Sequence, residues 1–265
     1  MFEGLLKTAI KAAVDGGNIL VQNYGKISKY AQKESFRDIV TEIDKLSEKE
    51  IVKTIQAHDG QQHGILTEEQ GNFGEKTNSY WVVDALDGTV NYFHQVPFFA
   101  VSIAYIQNNQ PVVGVIFNPM AEDLYYCAEG IGSFKNKLKL TVSDKPLNSV
   151  ITAGAFSGKA YNSKERQSEF ELFGKINDLS QGCLRTGSAA INLAYVSEGK
   201  FGACWGKANK YWDIAAGLLS AKLAGAEVKF KIIDYNKHLV NYLAATPKCW
   251  LQLNSIVSEA IQLDS

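Results

Sequence analysis

Two aspartates three residues apart end the apolar strand that opens the run Trp81-Val82-Val83-Asp84-Ala85-Leu86-Asp87-Gly88-Thr89-Val90-Asn91-Tyr92. An apolar strand ending in paired carboxylates presents oxygen donors of the kind a hard cation such as Mg²⁺ selects, in near-octahedral geometry at about 2.0–2.1 Å. Gly88-Thr89 then opens a helix, whose first backbone N–H groups lack intrahelical partners and suit a phosphate. Cation and phosphate would share one pocket. Sixteen residues before Asp84, Glu68 sits in a second acidic element, Leu66-Thr67-Glu68-Glu69, which also follows a short apolar run. A third element is Tyr211-Trp212-Asp213-Ile214-Ala215-Ala216-Gly217, where a lone acid stands among apolar residues at a helix start. An unpaired carboxylate there is costly to bury. A metal would supply a partner, and so would helix N-capping. Each element has an ordinary counterpart: a tight turn at Asp87-Gly88, a solvated loop at Glu68-Glu69, an N-cap at Asp213.

The elements that must position these acids follow from periodicity. Leu6, Ile10, Ala13, Gly17, Leu20 and Tyr24 recur at three- and four-residue steps and predict an amphipathic helix to about Gly25. A second helix is expected over Thr41 to Ala57, with Ile43, Leu46, Ile51 and Ile55 near one face. Short β-rich runs then follow at Gly64 to Thr67, Tyr80 to Val83, Ala100 to Ile106, Val112 to Asn118 and Asp123 to Ala128. Helices followed by a mostly antiparallel meander imply an α+β layered fold. Beyond about Ser149, helical patterns at Ala189 to Glu198 and Trp212 to Ala224 flank short apolar strands. The expected organisation is an N-terminal half, 1–148, fused without a flexible linker to a C-terminal half, 149–265.

With 46% hydrophobic and 21% charged residues over 265 positions, the composition suits a soluble globular protein. The balance of 27 Lys+Arg against 28 Asp+Glu gives a net charge of -1, so no global field favours nucleic acid or an anionic membrane, and direct nucleic-acid binding is not expected. The start of the chain lacks a basic region followed by an apolar stretch, and no run is apolar enough to span a bilayer, so a cytoplasmic location is expected. Cys127, Cys183, Cys204 and Cys249 are scattered, without zinc spacing, and read as reduced buried thiols.

Taken together, the motifs resemble the inositol monophosphatase family, in its bacterial, extragenic-suppressor-like branch. The family signatures Asp-Pro-Ile/Leu-Asp-Gly-Thr-x-Asn-Phe and Trp-Asp-x-Ala-Ala/Gly-Gly find counterparts in Asp84 to Tyr92 and Trp212 to Gly217. Further matches are Asp38-Ile39-Val40-Thr41-Glu42-Ile43-Asp44, Glu68-Glu69, Pro97-Phe98-Phe99-Ala100-Val101-Ser102 and Gly187-Ser188-Ala189-Ala190, all in family order. The resemblance implies a layered α/β/α/β/α sandwich and a phosphoric monoester hydrolase that acts on a small ester such as inositol 1-phosphate through two-metal activation of water. It implies two or three Mg²⁺ ions held by Glu68, Asp84, the Leu86 carbonyl, Asp87 and Asp213. The substrate would meet Asp87, Gly88, Thr89, Gly187, Ser188 and Asp213, with Gly187 and Ser188 bordering the leaving group. Thr89, paired with Asp44, would orient and help deprotonate the attacking water, and Glu68 would share in catalysis. Lithium inhibition and a homodimer are further implications. Lys33 matches a position where the family often has a lysine near the anion, and His94 one where it often has a histidine, assigned here to packing or a turn hydrogen bond.

Two positions depart from the family pattern. Ala85 stands where proline is usual, which costs some rigidity but keeps both flanking acids. Gly206 stands seven residues before Asp213, where many members carry a polyol-gripping glutamate. Lys207 and Lys210 could bring positive charge to the pocket rim instead, or face solvent while another acceptor replaces the glutamate. Relatives acting on fructose 1,6-bisphosphate, histidinol phosphate or a 3′-phosphonucleotide share the metal motifs, so these remain alternatives. So does a role as a partner of the transcription machinery, which members of the bacterial branch perform.

Overall fold

A computed structural model describes residues 2–26, 30–32, 39–59, 63–74, 78–157 and 163–263. Lys33 and Asp38 lie outside them. The first part of the chain forms α1 (Glu3–Asn23), β1 (Ala31–Gln32), β2 (Ile39–Val40), α2 (Glu42–Asp59), β3 (Gly64–Thr67), β4 (Asn72–Phe73), β5 (Ser79–Asp87), α3 (Thr89–Phe93), β6 (Ala100–Gln107), β7 (Gln110–Asn118), β8 (Asp123–Ala128), β9 (Gly132–Lys135) and β10 (Leu138–Lys139). The remainder forms β11 (Ile151–Ala155), α4 (Lys164–Leu179), β12 (Cys183–Leu184), α5 (Ala189–Ser197), β13 (Phe201–Lys210), α6 (Tyr211–Leu223), β14 (Glu227–Asp234), β15 (Leu239–Ala245) and α7 (Pro247–Ile261).

These elements stack as an α/β/α/β/α sandwich, in agreement with the expected fold class. An eight-stranded sheet runs β10-β9-β8-β7-β6-β5-β3-β4 and a five-stranded sheet runs β12-β11-β13-β15-β14. Helices α1 and α2 cover the outer face of the larger sheet, α5 and α6 fill the space between the sheets, and α4 and α7 cover the smaller sheet. The residues dictate this order. Strand β6 is buried along nearly its whole length, as a strand covered on both faces must be. Helices α5 and α6 are buried along most of their length and predominantly apolar, as central helices must be. Three apolar clusters follow, one under α1 and α2 built on Trp81 and Ile103, one between the sheets around Leu193 and Ile214, and one under α4 and α7 around Trp205 and Leu253.

The larger sheet is antiparallel except where β3 pairs in parallel with β5, Leu66 lying opposite Val82 and Thr67 opposite Val83. That exception places the residues after β3 beside the end of β5. Helix α6 approaches closely because β7 carries Gly114, where a Cβ would stand 2.9 Å from the Ala216 carbonyl oxygen and 3.0 Å from its Cα. Helix α1 ends at Asn23, two residues before the expected limit, because Tyr24 turns to extended backbone. All four cysteines are free and buried. Among the described residues no helix is long and apolar enough to cross a membrane.

Candidate metal centre

Strand β5 runs through both aspartates instead of ending at Val83 as the sequence pattern suggests. Asp84 lies opposite Ser102 and Asp87 opposite Ala100, so three steps on β5 match two on β6. The bulge cancels the usual alternation and turns both carboxylates to one face. Directly across from Asp84, the Ser102 hydroxyl donates to the Trp212 carbonyl at 2.9 Å. This bond ties the start of α6 to the centre of the larger sheet and delivers Asp213 to Asp84. Glu68 arrives from the end of β3. One carboxylate oxygen from each of Glu68, Asp84 and Asp213 then lies within 4.8 Å of the others.

Such a cluster is electrostatically unfavourable on its own. Burial pushes the Asp84 carboxyl well above its ordinary range, and the charges of Glu68, Asp213 and Asp87 push it further. Burial does the same to Asp213, with Asp87 and Glu68 adding to it and Lys210 opposing it. Asp87 is raised to about 6, mainly by burial, against hydrogen bonds that favour the charged form. Its Oδ2 accepts from the Ser188 hydroxyl and, at 2.8 Å, from the Ala190 amide. Asp87 is therefore held at the N-terminus of α5, beside the other three acids, while Ser188 also caps that helix through Ile191 N at 3.2 Å.

A second constellation stands next to the acids. The Thr89 hydroxyl lies 3.1 Å from Asp44 Oδ1 and 3.1 Å from the Leu86 carbonyl oxygen. Asp44 is held in turn by the Thr41 amide at 3.0 Å and by the Thr41 hydroxyl. Burial raises its pKa, and Glu68 adds to the rise, against the hydrogen bonds from Thr41 and Thr89. Gly88 has φ of 93°, in the left-handed region that glycine favours, and its Cα approaches the Gly187 carbonyl so closely that a Cβ would sit 3.4 Å away. The Asn91 amide joins the two loops, donating to Phe98 O at 2.7 Å and Thr186 O at 2.9 Å. Gly187 and Ser188 are thus brought against Gly88 and Asp87.

Three contributors have no role in the motif reading. Asn91 and Ser102 sit inside recognisable blocks without an assigned function, and Glu48 gives no signal at all. Buried on α2, Glu48 accepts from Glu69 N at 2.9 Å, Gln70 N at 3.0 Å and the Thr67 hydroxyl at 3.0 Å. It holds the loop that carries Glu68. Asp213 is not an N-cap: Lys210 occupies that position and the aspartate falls in the first turn of α6. His94 is exposed at the end of α3, its ring edge-on to Phe93. Lys210 lies over the Trp212 ring, while Gly206 faces Asn209 and Tyr242.

The inositol monophosphatase family profile matches residues 2–255. The chain belongs to the inositol monophosphatase family. A fructose-1,6-bisphosphatase/inositol-1-monophosphatase of Aquifex aeolicus is 31% identical over 262 residues, covering 94% of this chain and 97% of that protein. The Nus factor SuhB of Escherichia coli is 34% identical over 248 residues, 92% of each chain. The crystal structure of the extragenic suppressor protein SuhB of Bartonella henselae superposes with a TM-score of 0.83 at 28% identity, covering 98% of both chains. Membership of the inositol monophosphatase family supports a phosphatase.

Proposed function

We propose that the protein is a Mg²⁺-dependent phosphatase acting on a small phosphate monoester, with its pocket between residues 1–148 and 149–265. The observation that carries this reading is the convergence of Glu68, Asp84 and Asp213, three carboxylates from separate elements, beside the Thr89–Asp44 pair. The donor set fits magnesium: hard oxygen ligands, buried at Asp84 and half-buried at Glu68 and Asp213, that repel one another. Glu68, Asp84, Asp87, Asp213 and the Leu86 carbonyl would hold two or three ions. Bound there, magnesium supplies charge neutralisation at the phosphoryl group and acidifies water.

The chain's own residues supply the rest. The Thr89 hydroxyl carries one proton and has two acceptors within reach. When that proton goes to Asp44, the Leu86 carbonyl is free for a cation and the threonine oxygen can accept from a water. Asp44, raised by burial, is then the sink toward which a proton moves. Gly88 and Thr89 offer backbone N–H groups to the phosphate, and Gly187 and Ser188 line the side on which the leaving group departs. Phosphoryl transfer needs positioning and electrostatics more than covalent participation, which this inventory matches.

The names of the relatives support inositol phosphate and fructose 1,6-bisphosphate as first substrates to try, and similarity to Nus factor SuhB supports a second role beside the transcription machinery. Phosphate release from a panel of esters, with Mg²⁺ and with chelator, tests the enzyme. A pull-down against transcription components with the catalytically disabled Asp213→Asn chain tests the second role separately. Metal-dependent release from at least one small ester is expected, and none from the panel would remove the reading.

A further inference from the structure

Helix α1 lies across β6, β7 and β8, and β9 and β10 carry the larger sheet beyond it. Alternation along β8 turns Leu124 and Tyr126 toward the helix, while Tyr125 packs on the other side of the sheet. Between the first turns of α1 and this edge lies a cavity of about 590 Å³, walled by Leu6 and Ile10 from the helix and by Leu124, Tyr126 and Ile131 from the sheet side. Small-molecule sites span about 300 to 1,000 Å³, so a modest ligand fits. Tyr126 and Phe134 stack at 5.5 Å with their planes 12° apart, which stiffens the aromatic part of the wall. The cavity is remote from the acids. Helix α1 meets α3 at Leu20, whose carbonyl accepts from the Tyr92 hydroxyl at 2.7 Å. That point is about 21 Å along the helix from Leu6, at 1.5 Å per residue.

Three charged side chains stand at the rim, Glu3, Lys7 and Lys137, and all are exposed. Among the described residues none of the three has an ion-pair partner, although Glu3 and Lys7 lie one turn apart on α1. Lys137 reaches the rim through the two-residue turn between β9 and β10, in which Asn136 and Lys137 take φ of 46° and 76°. Glycine is the favoured residue at the second position of such a turn. Asn136 ties the turn to the cavity wall: its Oδ1 accepts from the Leu124 amide at 2.9 Å and its Nδ2 donates to the Glu122 carbonyl at 3.1 Å. A cation is thus kept where the backbone favours glycine, on a turn fixed to a residue that walls the cavity. Two lysines against one glutamate leave the rim with a net positive charge. An apolar cavity with such a rim is complementary to a molecule with an apolar body and a single anionic end, the lysine stems covering the body and the ammonium groups meeting the head.

We propose that this cavity binds a medium-chain aliphatic carboxylate, with the chain between α1 and β8 and the carboxylate shared by Lys7 and Lys137. The inference does not depend on the phosphatase reading. Buried methylenes set the affinity, and the two ammonium groups set the sign of the head group. Because the lysines are exposed, chain length is the larger effect and head-group charge the smaller one. Glu3 beside them disfavours a second anion, so the ligand is a monocarboxylate.

The test is calorimetric titration of the full chain, with Mg²⁺ present, by octanoate, decanoate and dodecanoate below their micelle-forming concentrations. Saturable binding of one molecule per chain is expected, tightening about tenfold with each added pair of methylenes. 1-Decanol and decyltrimethylammonium should each bind at least about fivefold more weakly than decanoate. Lys7→Gln and Lys137→Gly should each weaken decanoate about threefold. Lys137→Gly should leave Tm no lower than the parent's, because glycine accepts the left-handed turn. Leu124→Trp fills the cavity and should abolish binding; the two lysine variants test the site independently of how that chain folds. Inorganic phosphate, a probe for the metal centre, should not displace decanoate. The proposal is overturned by an absence of saturable binding, by a neutral or cationic head that binds as tightly as the carboxylate, by displacement with phosphate, or by unchanged decanoate binding in a folded Leu124→Trp chain. Capture by anionic phosphatidylglycerol vesicles without binding of free decanoate would make the surface a membrane contact and likewise overturn it.

Discussion

The Thr89 hydroxyl and the Asp44 carboxylate meet at 3.1 Å across 45 residues of sequence. Thr41 binds only the Oδ2 of the buried Asp44, which leaves its Oδ1 to the Thr89 hydroxyl. The pairing makes sense as a proton path. Thr89→Ala and Asp44→Asn are each expected to lower kcat about a hundredfold, with little change in KM. Because the two act as a unit, the double variant should lose little more than either single one. Multiplicative losses in a double-mutant cycle would show that they act separately.

Glu48 holds the loop bearing Glu68 by three hydrogen bonds. Glu48→Gln keeps the size and loses the acceptor capacity for at least one donor. The midpoint for Mg²⁺ activation should rise about tenfold, as when partners of a metal ligand are removed, while activity at saturating Mg²⁺ is largely kept. Metal titrations of activity in the two chains decide it, and an unchanged midpoint would deny Glu48 this positioning role.

The raised carboxyls set a pH dependence with a definite sign. Asp87 releases its proton near 6 in the folded chain and near 3.8 when unfolded, and Asp84 and Asp213 are shifted in the same direction. Between those values the folded state binds more protons, so without metal its stability falls as pH rises through that window and remains lower above it. Magnesium bound at these acids would replace the protons, and its stabilising effect would grow as they leave. The Tm difference between Mg²⁺ and chelator should be small at pH 5 and reach about 5 °C or more at pH 7.5. A difference independent of pH would contradict the placement of the metal among these three acids.

Gly114 sets the distance between β7 and the helix that carries Asp213. A methyl group there would press on the backbone of Ala216, which cannot yield as a side chain can. Gly114→Ala should lower stability by about 1–3 kcal/mol and weaken Mg²⁺ binding with it. Denaturant midpoints and metal titrations of the variant test both, and unchanged values would show that α6 has slack at this contact.

Asp84, Asp87, Asp213 and Glu68 were legible as candidate ligands because each stands at the end or start of an apolar run, and the family resemblance joined them into one set. An α+β layered fold was legible from the change of period after α2, and the order of its layers only through the family resemblance. Glu48 was not, because an acid on a helix next to Glu42, Asp44 and Glu50 looks like part of a solvated face, and only the loop more than twenty residues away buries it. The true extent of β5 was hidden by the low strand preference of aspartate, which the bulge at Ala85 and Leu86 overrides. The same blindness hid the meeting of Gly206 and Asn209. Their shared face depends on register against β15, a contact with no local signal.

The most direct measurement is phosphate release from a small ester by the full chain, with Mg²⁺ varied from chelated to millimolar, compared with Asp213→Asn and Asp87→Asn. Each substitution removes an anionic oxygen at nearly constant volume. The convergent carboxylates predict metal-dependent turnover in the parent, a loss of at least about a hundredfold in each variant at limiting Mg²⁺, and circular dichroism spectra that match the parent. Near-parental turnover of either folded variant at limiting Mg²⁺ would contradict the assignment of the metal centre.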